Sequence, residues 1–241
     1  MRWAVISDIH GNMEAFRQVL DDIDRSDVDG IFCLGDLVGY GPEPEAVVQQ
    51  VKALEIPTVM GNHELSVADP KVLKFFNPLA RRSLKLTARL LSADSIDYIH
   101  GLAPVRISNG CRWVHGFPPD AISTYLFQVR DDKIVSAFNT MPEAICFVGH
   151  THVIEMISFD GRIVIHKTLS CGVAPLKADQ RHIINVGSVG QPRDGNNNAK
   201  YIIWDNQNRE IDVRYVPYDI EAVVAKIIAA GLPEAHAYRL R

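Results

Sequence analysis

The chain has 241 residues, 47% of them hydrophobic, and a formal net charge of −4. That length suits one large α/β domain with a sizeable core, and no apolar stretch is long enough to span a bilayer. The mild acidity disfavours a nucleic-acid binder, which would carry a basic stripe, but allows a small anionic substrate held by local positive charge.

The first third alternates strand and helix signals. "RWAVIS" is a short apolar run, and "NMEAFRQVLDDIDRS" has helical spacing at Met13, Phe16, Val19, Leu20 and Ile23. "GIFCLG" is a second run, followed by the helix "PEPEAVVQQVKAL", opened by proline and acid, and then by a third run, "PTVMG". This is the pattern of βαβαβ units around a largely parallel, buried sheet. From Glu64 to about Gly101 the signal is helical, with "RRSLKLTARLL" its clearest part, and it reads as a cap-like insert at about 64–101. "CRWV" and "AICFV" resume the strand pattern. Beyond them "VIEMISFDGRIVIHK" is a hairpin around Asp160-Gly161, and "RHIINVG" and "KYIIWDNQNREIDVRYV" continue as antiparallel strands. The tail "DIEAVVAKIIAAGLP" is a helix with Asp219 as N-cap and Gly231 as stop. The expectation is a single domain, 1–241, with two packed sheets and helices outside.

Met1 leads directly into an apolar run with no cleavable leader before it, so a cytoplasmic protein is expected. Cys33, Cys111, Cys146 and Cys171 stand far apart without a C-x-x-C pair and read as reduced, three of them inside apolar runs.

Chemistry collects where the apolar runs stop. "AVIS" ends in Asp8-Ile9-His10, "IFCL" in Gly35-Asp36, and "PTVM" in Gly61-Asn62-His63-Glu64. "CRWV" ends in His115-Gly116, and "CFV" in Gly149-His150-Thr151-His152. In open α/β sheets the site lies beyond the carboxyl ends of the strands, so five strands of one sheet would deliver these groups to one rim. Asp8 and His10, two residues apart, point together if strand geometry persists that far. Carboxylate, imidazole and amide without thiolate suit Mn²⁺, Fe²⁺ or Zn²⁺. There are too many ligands for one tetrahedral ion, and two ions sharing a carboxylate use them all. Two divalent ions set against two aspartates and one hydroxide leave a site that attracts phosphate. Each motif alone has a bland reading as a cap or turn; five in this order at strand ends do not.

These motifs resemble the calcineurin-like metallophosphoesterase superfamily, with its order D-x-H, G-D, G-N-H-[DE], a separate His, then G-H-x-H. "GDLVGYGPEP", "HGFPPD" and "NVGSVGQPRDG" look like a bacterial and archaeal phosphodiesterase-like branch of it. The resemblance implies a four-layer αββα sandwich and two divalent ions, Mn²⁺ favoured, with Fe²⁺, Zn²⁺ and Ni²⁺ as alternatives. It assigns Asp8, His10, Asp36 and His152 to one ion and Asp36, Asn62, His115 and His150 to the other. Asp36 bridges, and His63 protonates or steadies the leaving oxygen without binding metal. Hydroxide bridging the ions attacks phosphorus in line. One departure stands out: where many relatives have a second acid that orients the catalytic His, this chain has Gly39.

Around these motifs, the loop Gly187–Gly195 follows a strand, and Arg193 either offers a guanidinium to phosphate or is a solvated turn residue. Arg82, Lys85 and Arg89 at helical spacing read as the wet face of a helix over Leu84 and Leu91. Tyr40, Phe117 and Tyr125 follow the ligand turns and either stack on a nucleobase or pack. His100, His166, His182 and His236 have no strand-end context and read as structural or surface residues. The expected function is hydrolysis of a phosphodiester or small nucleotide, with dinucleoside polyphosphate hydrolysis, phosphomonoesterase activity and a non-catalytic scaffold as alternatives. A small phosphorylated substrate is the expected partner, and antiparallel sheet edges offer a second copy a pairing surface.

Overall fold

The computed structural model describes residues 1–241. In chain order it contains β1 (Arg2–Ile6), α1 (Met13–Asp24), β2 (Gly30–Cys33), α2 (Pro44–Ala53), α3 (Asn62–Ala68), α4 (Pro78–Leu90) and α5 (Ala93–His100). There follow β3 (Val105–Ser108), β4 (Cys111–Val114), α6 (Asp131–Thr140), β5 (Ile145–Val148), β6 (Ile154–Phe159), β7 (Val164–Thr168) and β8 (Gly172–Pro175). The chain closes with β9 (Arg181–Val186), β10 (Ala199–Asp205), β11 (Glu210–Val216), α7 (Ile220–Ala229) and α8 (Glu234–Tyr238).

The strands form two mixed sheets, β2-β1-β10-β11-β8 and β3-β4-β5-β9-β6-β7. β1 pairs parallel with β2, and β5 lies parallel to both β4 and β9; the remaining pairs are antiparallel. Alternation along the strands builds the layers. On β1, Ala4 and Ile6 face Phe16 and Val19 of α1 and Val47 and Val51 of α2, while Val5 faces the other sheet. On β5, Phe147 faces inward, and Cys146 and Val148 face Ile134 and Phe138 of α6. Between the sheets, Phe32 stacks on Trp113 at 4.2 Å and Trp113 on Phe147 at 4.8 Å. The result is the αββα sandwich implied by the resemblance.

Local signals hold where chain chemistry decides them. The Asp219 side chain accepts the Ala222 N–H at 3.0 Å to cap α7, and Gly231 ends that helix region at φ 67°. Residues 62–100 are mainly helical, and Leu91 and Ile99 pack into the core shared by α1 and α2. Arg82, Lys85 and Arg89 are exposed over buried Leu84 and Leu91, the wet face expected. Cys33, Cys111 and Cys146 are buried and Cys171 exposed, all unpaired.

Two expectations need correction. The motif-bearing strands do not share one sheet: β1 and β2 lie in one and β4 and β5 in the other. Apolar periodicity reports that a strand is buried, not which sheet it joins. The run "PTVMG" forms only isolated bridges, Cys33 to Thr58 and Val59 to Ala103, rather than a strand. The short strands β3 and β8, one mostly half-exposed and the other edged by exposed residues, lack the apolar run that would announce them.

Candidate metal centre

Each ligand-bearing segment leaves its strand through a sharp turn. Asp8, His10, Asp36, His150 and His152 adopt φ of 55°, 51°, 54°, 69° and 62°, in the left-handed region. Strand geometry therefore ends before Asp8, and it is these turns, not a shared strand face, that bring Asp8 and His10 together. Left-handed backbone costs about 1–2 kcal/mol per residue outside glycine, so the surroundings must hold it. They do: the Asp8 N–H donates to Gly35 C=O at 3.0 Å, His10 N–H to Asp36 C=O at 2.9 Å, and His150 N–H to Asp8 Oδ2 at 3.0 Å. The last bond ties the end of β1 to the end of β5, across the two sheets.

The side chains converge in the interior. His152 Nε2 lies 3.2 Å and His10 Nε2 3.6 Å from Asp8 Oδ1. Asp36 Oδ2 lies 3.3 Å from His115 Nε2, 3.7 Å from His10 Nε2 and 3.8 Å from His63 Nε2. Asn62 Oδ1 is 3.1 Å from His115 Nε2. The ligating atoms fall into three overlapping groups, Asp8–His10–His152, His10–Asp36–His63 and Asp36–His115–His150. All eight residues are buried.

This donor set fits divalent cations. The Nδ1 atoms of His10, His115 and His152 meet the carbonyls of Val38, Leu34 and Gln191 at 3.1, 2.7 and 2.6 Å, which fixes Nδ1 as the protonated nitrogen. Each Nε2 is then a lone pair aimed into the cluster. His150 is reversed: its Nε2 meets the Ser123 carbonyl at 3.2 Å, leaving Nδ1 as its inward donor. The Nε2 atoms of His10 and His152 stand 3.1 Å apart, and Asp8 Oδ1 is buried without a hydrogen-bond partner. Lone pairs facing one another beside an unpartnered buried carboxylate oxygen are what a cation satisfies.

Electrostatics follow from burial and proximity. Burial opposes the charged form of Asp8 and Asp36, but the surrounding imidazoles outweigh it and hold both carboxyls well below the usual range. Burial pushes His150 down to about 3 and His152 to about 4, and it holds His63 well below its usual value. His115 goes the other way: burial opposes its charge, yet the adjacent Asp36 raises it to about 9, and a cation at Nε2 would displace that proton.

His63 is oriented without a carboxylate. Its Nδ1 meets the Val38 carbonyl at 3.0 Å, the same oxygen that holds His10, and its backbone N–H donates to Asp36 Oδ1 at 3.0 Å. A Cβ on Gly39, itself at φ +88°, would stand 2.0 Å from His63 Nδ1. The space for an acidic side chain is occupied by the imidazole, so Gly39 and the backbone contact of His63 are one arrangement.

Glu64 is the functional residue that motif reading left without a role. Its carboxylate accepts the N–H groups of Asp36 at 2.7 Å, Leu37 at 2.8 Å, Gly61 at 3.0 Å and Val38 at 3.2 Å, clamping the loop that carries Asp36. Burial, then the charge of Asp36, pushes Glu64 up to about 7. The signal was present: an acid three residues after Gly61 sits where a capping box needs it.

At the rim, Arg193 Nη2 donates to Gln191 Oε1 at 2.8 Å, and the guanidinium lies 5.8 Å over the Tyr40 ring. Beneath its loop, buried Lys200 donates to the Asn196 and Asn198 carbonyls at 2.6 and 3.1 Å. Tyr40 packs 4.6 Å from both His10 and His63, and Tyr125 lies flat on His150 at 3.9 Å and 16°. Phe117 instead packs beside the α6 core. His236, read as a structural or surface residue, is buried 4.7 Å from Tyr40, because α8 folds back over the site. His166 pairs with Asp131 on the surface, and His182 bonds Ser158 away from the cluster.

A buried, two-ended cluster of imidazoles and carboxylates stands at the junction of two sheets, with donor groups that could hold divalent metal. The chain belongs to the calcineurin-like phosphoesterase superfamily, whose domain model matches residues 1–209, and it is a hydrolase of phosphoester bonds. It is 36% identical over 237 residues to an uncharacterized protein of Methanocaldococcus jannaschii, covering 96% of this chain and 93% of that one. The crystal structure of a metallophosphoesterase from Sphaerobacter thermophilus is 36% identical, with a TM-score of 0.88, covering 100% of this chain and 98% of that one. A symmetrical bis(5'-nucleosyl)-tetraphosphatase of Erwinia tasmaniensis is 32% identical over 97 residues, 39% of this chain and 34% of that protein. No helix is long and apolar enough to cross a membrane.

Proposed function

We propose that the protein is a dinuclear, Mn²⁺-favouring phosphodiesterase acting on a small phosphodiester or nucleotide. The observation that carries this reading is the two-ended cluster, with Asp36 in the groups at both His63 and His150. Asp8, His10 and His152 would hold one ion and Asn62, His115 and His150 the other, with Asp36 shared between them. Two divalent ions supply Lewis acidity and a water of lowered pKa.

The chain's own residues do the rest. Glu64 keeps the Asp36 loop in register through four backbone N–H groups. The Val38 carbonyl, 3.0 Å from His63 Nδ1, fixes the ring so that Nε2 faces the cluster. From there His63, taking up a proton at Nε2 as the anionic substrate arrives, protonates or steadies the departing oxygen. Arg193 stands at the rim to meet a phosphoryl oxygen.

A second reading is hydrolysis of a dinucleoside polyphosphate anhydride. It draws on the 97-residue similarity to the tetraphosphatase, whose name states that substrate class.

The deciding experiment strips the protein with chelator, restores Mn²⁺, and compares a chromogenic phosphodiester with the matching monoester and with a dinucleoside tetraphosphate. Metal-restored turnover highest on the diester is expected. Preference for the monoester overturns the phosphodiesterase reading, and turnover of the tetraphosphate alone establishes the second reading.

A further inference from the structure

Two cavities flank the cluster, and their walls differ in kind. One, of about 640 Å³, carries Arg193 and Arg239. The other, of about 580 Å³, reaches the cluster at Asn62 and His150 and is walled chiefly by apolar and aromatic groups, among them Phe75, Phe76 and Tyr125. Its volume lies within the range of small-molecule sites, which are apolar with few polar groups.

Three features of the second cavity suit a planar ligand. Phe75 is 79% exposed on the short turn Pro70–Phe75, which buries no residue. Its ring, with the Lys74 ammonium 5.0 Å from its centroid, forms part of the cavity wall. Tyr125 stacks on His150 at 3.9 Å and on Phe127 at 5.1 Å, which places an aromatic stack in the wall beside the cluster. Asn77, on the same wall, gives its side-chain oxygen to the Ala80 N–H at 2.9 Å, leaving its amide NH₂ as a donor.

We propose that this cleft is a nucleobase subsite, which makes the substrate a nucleotide with its phosphoryl group at the cluster. The inference rests on the phosphoesterase reading for where that group sits. Aromatic walls favour a planar ring over a flexible chain, because stacking is worth more on a flat π-face and is tolerant of which base is bound. The arginines of the other cavity, which shares Tyr125 with this one, set the polarity: neutral ring toward Phe75, remaining anionic groups toward Arg193 and Arg239. Phe75 is therefore a specificity residue, outside the reacting cluster.

Calorimetric titration of the Mn²⁺-loaded protein with AMP, ribose 5-phosphate and hexyl phosphate tests this without requiring turnover. AMP should bind about ten-fold tighter than ribose 5-phosphate. That gap should close in Phe75→Ala, persist in Phe75→Trp, and leave the affinity for ribose 5-phosphate unchanged in both. Since Phe75 is exposed, neither variant depends on repacking a core. Equal affinity for AMP and ribose 5-phosphate in the native protein overturns the proposal. So does hexyl phosphate binding as tightly as AMP, or a gap that survives in Phe75→Ala. Failure of the phosphoesterase reading registers separately, as absence of Mn²⁺-dependent turnover beside an intact AMP preference.

Discussion

Asp8 and His115 have no solvent exposure and are tied to backbone groups on neighbouring turns, whereas Phe75, in the wall of the adjacent cleft, is 79% exposed and held by a short turn. The cluster draws on both sheets, and its left-handed turns are fastened to one another, as His150 N–H is to Asp8. The cleft draws on the helical segment after α3 and on the loop around Tyr125. One region is buried and cross-tied; the other presents exposed Phe75, which can change without touching Asn62 or His150, although Tyr125 of its wall lies on His150. On the reading proposed above, chemistry belongs to the first and selectivity to the second, a division by which one fold supports many substrates.

Substitutions graded from the centre outward break or sharpen that contrast. Asp36→Ala removes the carboxylate common to both ends of the cluster. Metal content should fall at both sites and turnover by about a thousand-fold or more, read by elemental analysis and diester assay. Should the variant still carry two ions, Asp36 is not the bridge. His63→Ala should separate binding from chemistry, with metal content retained and turnover down about a hundred-fold or more. Parallel loss of metal would make His63 a ligand instead.

Gly39→Asp restores the acid found in many relatives, yet places a Cβ 2.0 Å from His63 Nδ1 on a backbone with φ +88°. We expect about 1–3 kcal/mol of destabilisation in a denaturant melt. Turnover should also fall, because the imidazole must leave the Val38 carbonyl. A faster enzyme would show that His63 is under-oriented in the native chain. At the rim, Arg193→Ala should raise KM by about ten-fold with kcat nearly kept, since a charge-assisted bond to substrate is lost while the cluster is intact. A collapse of kcat would place Arg193 within the reacting geometry.

The smallest effect lies far from both regions. Burial resists ionisation of Asp22, but hydrogen bonds from Arg214 and Tyr201 outweigh it and lower its pKa. A lowered folded-state value contributes stability above the unfolded-state pKa of about 3.9, and that contribution is lost as pH falls through the folded-state value. Asp22→Asn should therefore cost about 1 kcal/mol at neutral pH, with the difference from native vanishing in acid. A difference that grows in acid contradicts this sign.

What could be read from residues alone follows the same division. Asp8, His10, Asp36, Asn62, His115, His150 and His152 were legible because ligand type, glycine neighbours and a preceding apolar run all coincide in the chain. Their assembly from two sheets was not, since Val5 and Phe147 are equally buried whichever sheet they join. Nor was the φ of Asp8 and His10, which depends on Gly35 and Asp36 accepting from them across the turn. Glu64 was recoverable from helix-capping spacing. His236 carried no local signal, because its place behind Tyr40 is set by how α8 folds back. Phe75 was equally silent, an apolar residue in a helical stretch whose exposure only the folded chain reveals.

The central claim is that two ions, held about one carboxylate, are both needed for diester cleavage. Metal-free protein should be titrated with Mn²⁺ while bound metal and diester turnover are followed together. Activity that climbs until the second equivalent is bound, with elemental analysis reading two ions per chain, is the result predicted. Full activity at one equivalent, with no second ion taken up, would contradict it.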